Sequence, residues 1–262
     1  MAPTIHCVRH AQGYHNLSIA NHSLPDPSLT PFGKEQCQQL HEAFPYHAQV
    51  DLLVASPLRR TIYTTLLGFE SETQRGLAVI ALPEIQETSD LPCDTGSPLP
   101  RIQQEFADQP VDLSLVHDGW DSKAGVPTRQ GKWAAHAEQV RERAKYARQW
   151  LKARPEKHIV VVTHGGFLHY FTEDWTDAGL YQGTGWANTE FRSYTFKPTT
   201  GDEDNASMTE TKESLARRKG SETPLNATER REWSATTPSP TGPQTTDKDA
   251  APATGPATQS RF

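Results

Sequence analysis

Apolar residues along the first two hundred positions fall into two alternating patterns. Short, nearly continuous aliphatic or β-branched runs occupy residues 4–8, 51–55, 77–82 and 158–163, lengths that suit strands buried on both faces. Between them the spacing becomes helical. Residues 131–154 carry Trp133, Ala137, Val140, Ala144, Ala147 and Leu151 on one stripe before Pro155. Thr30 with Pro31 marks one helix start, and Ser56 with Pro57 is expected to mark another in the same way. Strands alternating with helices predict an α/β sandwich, three layers around a mainly parallel central sheet. Ligands of such sheets gather at the carboxyl ends of the strands.

The pattern stops near Pro198. Beyond it Met208, Leu215, Leu225, Trp233 and Phe262 are almost the only large apolar residues among Thr, Ser, Pro, Gly, Glu and Asp. That is too little buried surface to offset ordering entropy, so residues 1–197 are expected to form the domain and 198–262 a disordered tail. Within the tail, residues 213–219 have the composition of a transient helix. Arg217-Arg218-Lys219 reads as a solvated charge run in preference to a nuclear-import element.

Charge narrows the function classes. Lys and Arg number 26 against 32 Asp and Glu, a net charge of −6, so no global basic field recruits nucleic acid or an anionic membrane surface. Cys7, Cys37 and Cys93 are too few and too scattered for a disulfide framework or a zinc site. The N-terminal residues lack a basic segment followed by an apolar one. A cytoplasmic protein with neither nucleic-acid nor membrane partner is expected.

Candidate chemistry lies at the strand ends. The first strand runs into Arg9-His10, the run at 158–163 into His164-Gly165-Gly166, and the second strand into Ser56-Pro57-Leu58-Arg59-Arg60-Thr61. Arginine forks suit a phosphate, and amides opening a helix after His164 favour an anion. A single histidine after a strand would carry no claim; two histidines and three arginines converging on one sheet edge describe a phosphate pocket.

These residues stand in a recognisable order. The sequence resembles the histidine phosphatase superfamily, the phosphoglycerate mutase-like proteins. Its R-H-G-x-x-x-x-N opening is matched by residues 9–16, with Ala11 in place of Gly, and its L-T-x-x-G-x-x-Q by Leu29, Thr30, Gly33 and Gln36. Its S-x-L-x-R-[AT]-x-x-T is matched by Ser56, Leu58, Arg60, Thr61 and Thr64, and its T-H-G-G by residues 163–166. The H-A-Q-G-x-H-N opening and the stretches Pro83 to Glu87 and Cys93-Asp94-Thr95-Gly96 look closest to the fungal phosphomutase-like branch. A closing strand at 191–196 is also expected.

The resemblance implies a reaction. A neutral His10 attacks phosphorus and forms a phosphohistidine that water hydrolyses, while Arg9, Arg60 and His164 stabilise the phosphoryl oxygens. Asn16 and Gly165 join them in binding the phosphate. A Glu after the third strand is the general acid. Spacing favours Glu87 over Glu84, and Arg60 over Arg59 as the phosphate ligand. No cofactor and no metal is expected, and the substrate is a small phosphorylated metabolite. A polar insert at about 93–131, including Trp120 as a stacking or anchoring residue, is expected to cap the pocket. Two alternatives stay open: a phosphomutase or tailoring hydrolase of a biosynthetic pathway on the same fold, and a non-catalytic binding protein. Gln12, where glycolytic mutases carry Glu, counts against the mutase. The intact set Arg9, His10, Arg60, Glu87 and His164 counts against the binding protein.

Overall fold

The computed structural model describes residues 2–123, 131–174, 185–198 and 205–219. Strands β1 (Thr4–Arg9), β2 (Leu52–Ala55), β3 (Val79–Ala81), β4 (Val111–Asp112), β5 (His158–Thr163), β6 (Phe191–Phe196) and β7 (Met208–Glu210) form one sheet in the order β4-β3-β2-β5-β1-β6-β7. The first five are mutually parallel, β6 is antiparallel to β1, and β7 is antiparallel to β6. The mainly parallel sandwich expected from the sequence is the fold observed.

Helices cover both faces: α1 (Pro31–Ala43), α2 (Arg59–Gly68), α3 (Glu70–Gln74), α4 (Leu99–Glu105), α5 (Ala137–Lys152), α6 (Gly165–Thr172) and α7 (Lys212–Arg218). The two-residue period of each strand divides its side chains between two cores. Leu52, Val54, Ile159 and Val161 pack with Val140, Ala144 and Leu151 of α5 and Phe167 of α6. Leu53, Ala55, Val160 and Val162 pack on the other face with Leu40 of α1, Ile62 of α2 and Ile102 of α4.

Four local expectations are corrected. Thr30 caps α1, its Oγ1 accepting from the Gly33 amide at 2.9 Å, but Ser56 does not cap α2. That helix begins at Arg59, whose amide donates to Oδ1 of Asp26 at 3.1 Å, so the cap comes from a distant loop. The helix expected over 131–154 starts only at Ala137. The insert at 93–131 is not simply a cap: it supplies α4 and then β4, which pairs with β3 and widens the sheet. Residues 124–130 of that insert lie outside the described residues.

The fourth correction concerns the tail. Residues 205–219 complete the domain instead of leaving it. Met208, 3% exposed, joins the core beside Tyr194, Ser214 Oγ accepts from the Ser193 amide of β6 at 3.0 Å, and Thr211 caps α7. One large apolar residue suffices because β6 offers an open row of backbone partners. The basic run is engaged as well: Arg218 pairs with Glu210 at 2.7 Å and Arg217 lies 4.0 Å above the Phe191 ring. Residues 220–262 lie outside the described residues. No described helix is long and apolar enough to cross a membrane.

Candidate active site

Strands β1 and β5 are neighbours with Arg9 opposite Thr163, so the residues that follow, His10 and His164, leave the sheet side by side. Their ring centroids are 5.2 Å apart. Arg60, in the first turn of α2 and fully buried, reaches both: its Nε donates to Nε2 of His10 at 3.3 Å, and its Nη2 lies 3.1 Å from Nδ1 of His164.

These contacts fix the tautomers. His10 Nδ1 lies 2.7 Å from the Ala11 carbonyl, which can only accept, so Nδ1 carries the proton and Nε2 keeps its lone pair. A guanidinium can only donate, so His164 Nδ1 accepts and its Nε2–H is directed at Ser56 Oγ, 2.9 Å away. Burial, followed by Arg60, holds both imidazoles well below the ordinary histidine range. His10 therefore presents an unprotonated Nε2 at neutral pH.

Arg60 is held in turn by Oδ1 of Asp94 at 3.0 Å, with both side chains fully buried, and by the Cys93 carbonyl at 2.6 Å. Ser89 Oγ donates to the other Asp94 oxygen at 2.6 Å. The C-D-T-G stretch thus supplies the counter-charge of the central arginine. Gly96 of that stretch has its own reason: a Cβ there would meet the Trp120 ring at 2.0 Å. Trp120 is an anchor, 1% exposed.

The two candidate acids separate cleanly. Glu87 is 1% exposed, and its Oε1 accepts from the amides of Thr88 and Phe167 at 2.9 Å each. Burial, then the Asp94 charge, raises its carboxyl above the usual range, against the pull of Arg60 and Arg9. Glu84 instead pairs with Lys132 at 2.6 Å. The turn bearing both is pinned from α5 by Arg143, which donates to the carbonyls of Glu84, Gln86 and Glu87 at 2.7, 2.9 and 3.4 Å. Lys123 Nζ donates to the Glu87 carbonyl at 2.7 Å. Burial and Arg143 bring that ammonium down to about 7.

The remaining predicted residues distribute as follows. Arg9 is buried at the end of β1 and donates to the Trp186 carbonyl. Asn16 Oδ1 accepts from the Gly13 amide at 3.0 Å, closing the loop that follows His10. Gly165 is the first residue of α6, but the Phe167 amide of that helix serves the Glu87 carboxyl, so the helix end holds that carboxyl. Arg59 turns away from the centre to Glu105 at 2.7 Å.

Asp26, Asp94, His15 and Asn188 lie around these groups in positions that motif spacing did not assign. His15, 1% exposed, has its ring centroid 5.4 Å from that of His10 and tilted 45° to it, and is likewise held neutral by burial and Arg60. Its place in the H-A-Q-G-x-H-N opening was the available signal. Asn188 donates to the His10 carbonyl at 2.8 Å, an arrangement produced by the distant β6 loop.

Further motif residues hold the loop that follows His10. Thr64 Oγ1 accepts from Ala11 N at 3.0 Å, Gln36 Oε1 accepts from Gln12 N at 2.8 Å, and Thr30 N donates to Gln12 O at 3.0 Å. A Cβ on Gly33 would lie 2.1 Å from Gln12 O, so glycine lets α1 approach this backbone. Ala11 has no positive φ and buries its methyl against Leu29 and Cys37, which is why it replaces glycine without strain.

Known proteins resemble this chain in sequence and in fold. A fission-yeast (Schizosaccharomyces pombe) protein named as a phosphatase is 27% identical over 171 residues, 64% of this chain and 76% of the relative. Phosphoglycerate mutase-like protein 1 of Arabidopsis thaliana is 29% identical over 203 residues, 64% of this chain and 70% of the relative. The resemblance is thus not confined to fungi. Among solved structures, the ecdysone phosphate phosphatase of Bombix mori superposes with a TM-score of 0.52 at 14% identity, covering 77% of this chain and 98% of its own. The YhfR protein of Bacillus stearothermophilus gives 0.50 at 16% identity, covering 78% and 100%. At these identities the likeness establishes the fold. The family model described as histidine phosphatase superfamily, branch 1, matches residues 5–206, and the chain belongs to that superfamily.

Proposed function

We propose that the protein is a phosphatase that hydrolyses a small phosphorylated metabolite through a phosphohistidine at His10 Nε2. The observation that carries this reading is the pairing of opposite protonation states: His10 is held neutral with Nε2 free of a proton, while Glu87 is pushed toward its protonated form. Nucleophile and acid are each in the state the first step needs.

In that step the His10 Nε2 lone pair forms the bond to phosphorus as the ester P–O bond breaks, and the Glu87 carboxyl gives its proton to the departing oxygen. Arg9, Arg60 and His164 stabilise charge on the phosphoryl oxygens. In the second step the Glu87 carboxylate takes a proton from water, whose oxygen attacks phosphorus and releases inorganic phosphate and neutral His10. The phosphatase-named yeast relative supports hydrolysis as the outcome. The positive charge needed around the phosphoryl group comes from the protein, so turnover is expected to proceed without a divalent cation.

Acid quench of the enzyme with phosphorus-labelled p-nitrophenyl phosphate tests this. Acid-labile label on the wild type and none on His10→Ala is the expected result. Turnover by His10→Ala at the wild-type rate overturns it. Loss of activity in EDTA that a divalent ion restores would overturn the metal-free clamp.

A further inference from the structure

Outside the phosphoryl-transfer centre, a cavity of about 220 Å³ opens between α5 and the loop that follows β4. Its walls are Trp120, Trp133, Tyr146 and Trp150, and its polar lining includes Glu84 and Asp118. None of His10, Arg60, Glu87 or His164 lines it.

Lys132 shows what this cavity accommodates. Its Nζ lies 4.5 Å from the centroid of the Trp133 ring, 5.2 Å from that of Tyr146 and 2.6 Å from Oε1 of Glu84. An ammonium is therefore already placed on two aromatic faces with a carboxylate closing the third side, the arrangement that recognises alkylammonium ligands. Lys132 is poorly committed to the position, because its side chain is 56% exposed while that of Glu84 is 8% exposed. A flexible stem reaching in from solvent can withdraw when another cation takes its place on the Glu84 carboxylate. Once it does, Glu84 and Asp118 face the aromatic walls without a compensating cation from Lys132.

We infer that this cavity is a binding site for a small organic cation with a primary or methylated ammonium head, and that Lys132 occupies the cage as an internal competitor. The volume suits a head group, lying below the roughly 300–1,000 Å³ of sites for drug-sized molecules. An anionic ligand is disfavoured by the two carboxylates. A neutral aromatic ring would leave Glu84 buried without its partner, at a desolvation cost.

The test uses the full chain at pH 8, titrated with choline chloride at constant ionic strength. Tryptophan fluorescence and calorimetry report binding. Choline should bind saturably and about tenfold tighter than its uncharged carbon isostere, and Trp133→Ala should weaken it by about fivefold. Lys132→Ala should tighten choline by about threefold, because the competing ammonium is gone. A purely structural ion pair predicts no gain on removing Lys132. Equal binding of the isostere, or affinity that is unchanged or lower in Lys132→Ala, overturns the inference. Lys132 is exposed, so this variant decides the matter even where Trp133→Ala fails to fold.

Discussion

The Arg60 guanidinium touches His10 and Asp94 at once, with Nε 3.3 Å from the His10 Nε2 and Nη2 3.0 Å from the Asp94 Oδ1. One buried cation therefore orients His10, and its buried counter-charge acts on Glu87, since Asp94 is the largest charge effect raising that carboxyl. The three side chains come from three separate stretches of sequence. They are coupled because all three sit where water is excluded and charges are weakly screened.

Asp94→Asn should be costly in two ways. It leaves the fully buried Arg60 without its carboxylate, a loss of about 3–5 kcal/mol when one partner of such a pair is removed. It also lowers the Glu87 carboxyl, so the acid is less protonated at neutral pH. Thermal melts should show the destabilisation. The alkaline limb of kcat/KM for p-nitrophenyl phosphate should move to lower pH; a limb that stays in place would detach Asp94 from the acid.

Gly33→Ala separates helix propensity from packing. Alanine gains up to about 1 kcal/mol in a helix interior, yet its Cβ would sit 2.1 Å from the Gln12 carbonyl oxygen, and overpacking costs about 1–3 kcal/mol. Backbone cannot move aside without shifting His10. A net loss of stability in urea, together with a fall in kcat of at least about tenfold, is expected. Wild-type kcat in this variant would mean that the α1 contact does not position the nucleophile.

Acid should destabilise the fold through its buried imidazoles. His6, His10, His15 and His164 are all held below the ordinary range, His6 at about 3. Below about pH 6.5 the unfolded chain binds protons that the native state refuses, so stability present above that pH is lost as pH falls. Each group contributes a slope of about 1.4 kcal/mol per pH unit. Asp26 and Glu87, both raised by burial, act in the opposite sense, leaving four groups against two. The melting temperature should drop between pH 7 and pH 5, and His6→Asn should flatten that drop. A melting temperature that is level or rises toward pH 5 would contradict the neutral assignment.

The sequence made the parallel strands and the strand-end chemistry legible because both are local signals. The run at 158–163 is nearly all β-branched, and Arg9-His10 and His164 directly follow strands. What stayed hidden was supplied by distant parts of the chain. Asp26 caps α2 across a sequence gap that no capping pattern spans, and Asp94 is identified as the Arg60 partner only by packing. The tail misled for a related reason: β7 is held mainly by backbone pairing to β6, and hydrogen-bond partners leave little trace in composition.

That edge strand makes truncation informative. A chain ending at Pro198 loses β7, α7, the Met208 contact with the core and the bond between Ser214 and β6. At roughly 2–3 kcal/mol for the lost burial, its melting temperature should fall by roughly 5–10 °C. A chain ending at Lys219 keeps these elements and drops a segment with few large apolar residues, so it should melt with the full chain. Equal melting of both truncations would show β7 and α7 to be dispensable.

The acid assignment is tested by the leaving group. A proton donor matters in proportion to how basic the departing oxygen is, so an alkyl phosphate needs it and p-nitrophenyl phosphate scarcely does. Glu87→Gln keeps the acceptor oxygen that meets the Thr88 and Phe167 amides but cannot deliver a proton. Its kcat on glycerol phosphate should fall by about 10²–10⁴, with a much smaller loss on p-nitrophenyl phosphate. Glu84→Gln, which removes only the charge paired with Lys132, should lower both substrates equally and slightly. If the alkyl-selective loss appears instead in Glu84→Gln, the proton comes from Glu84, and the raised Glu87 carboxyl serves the α6 helix end alone.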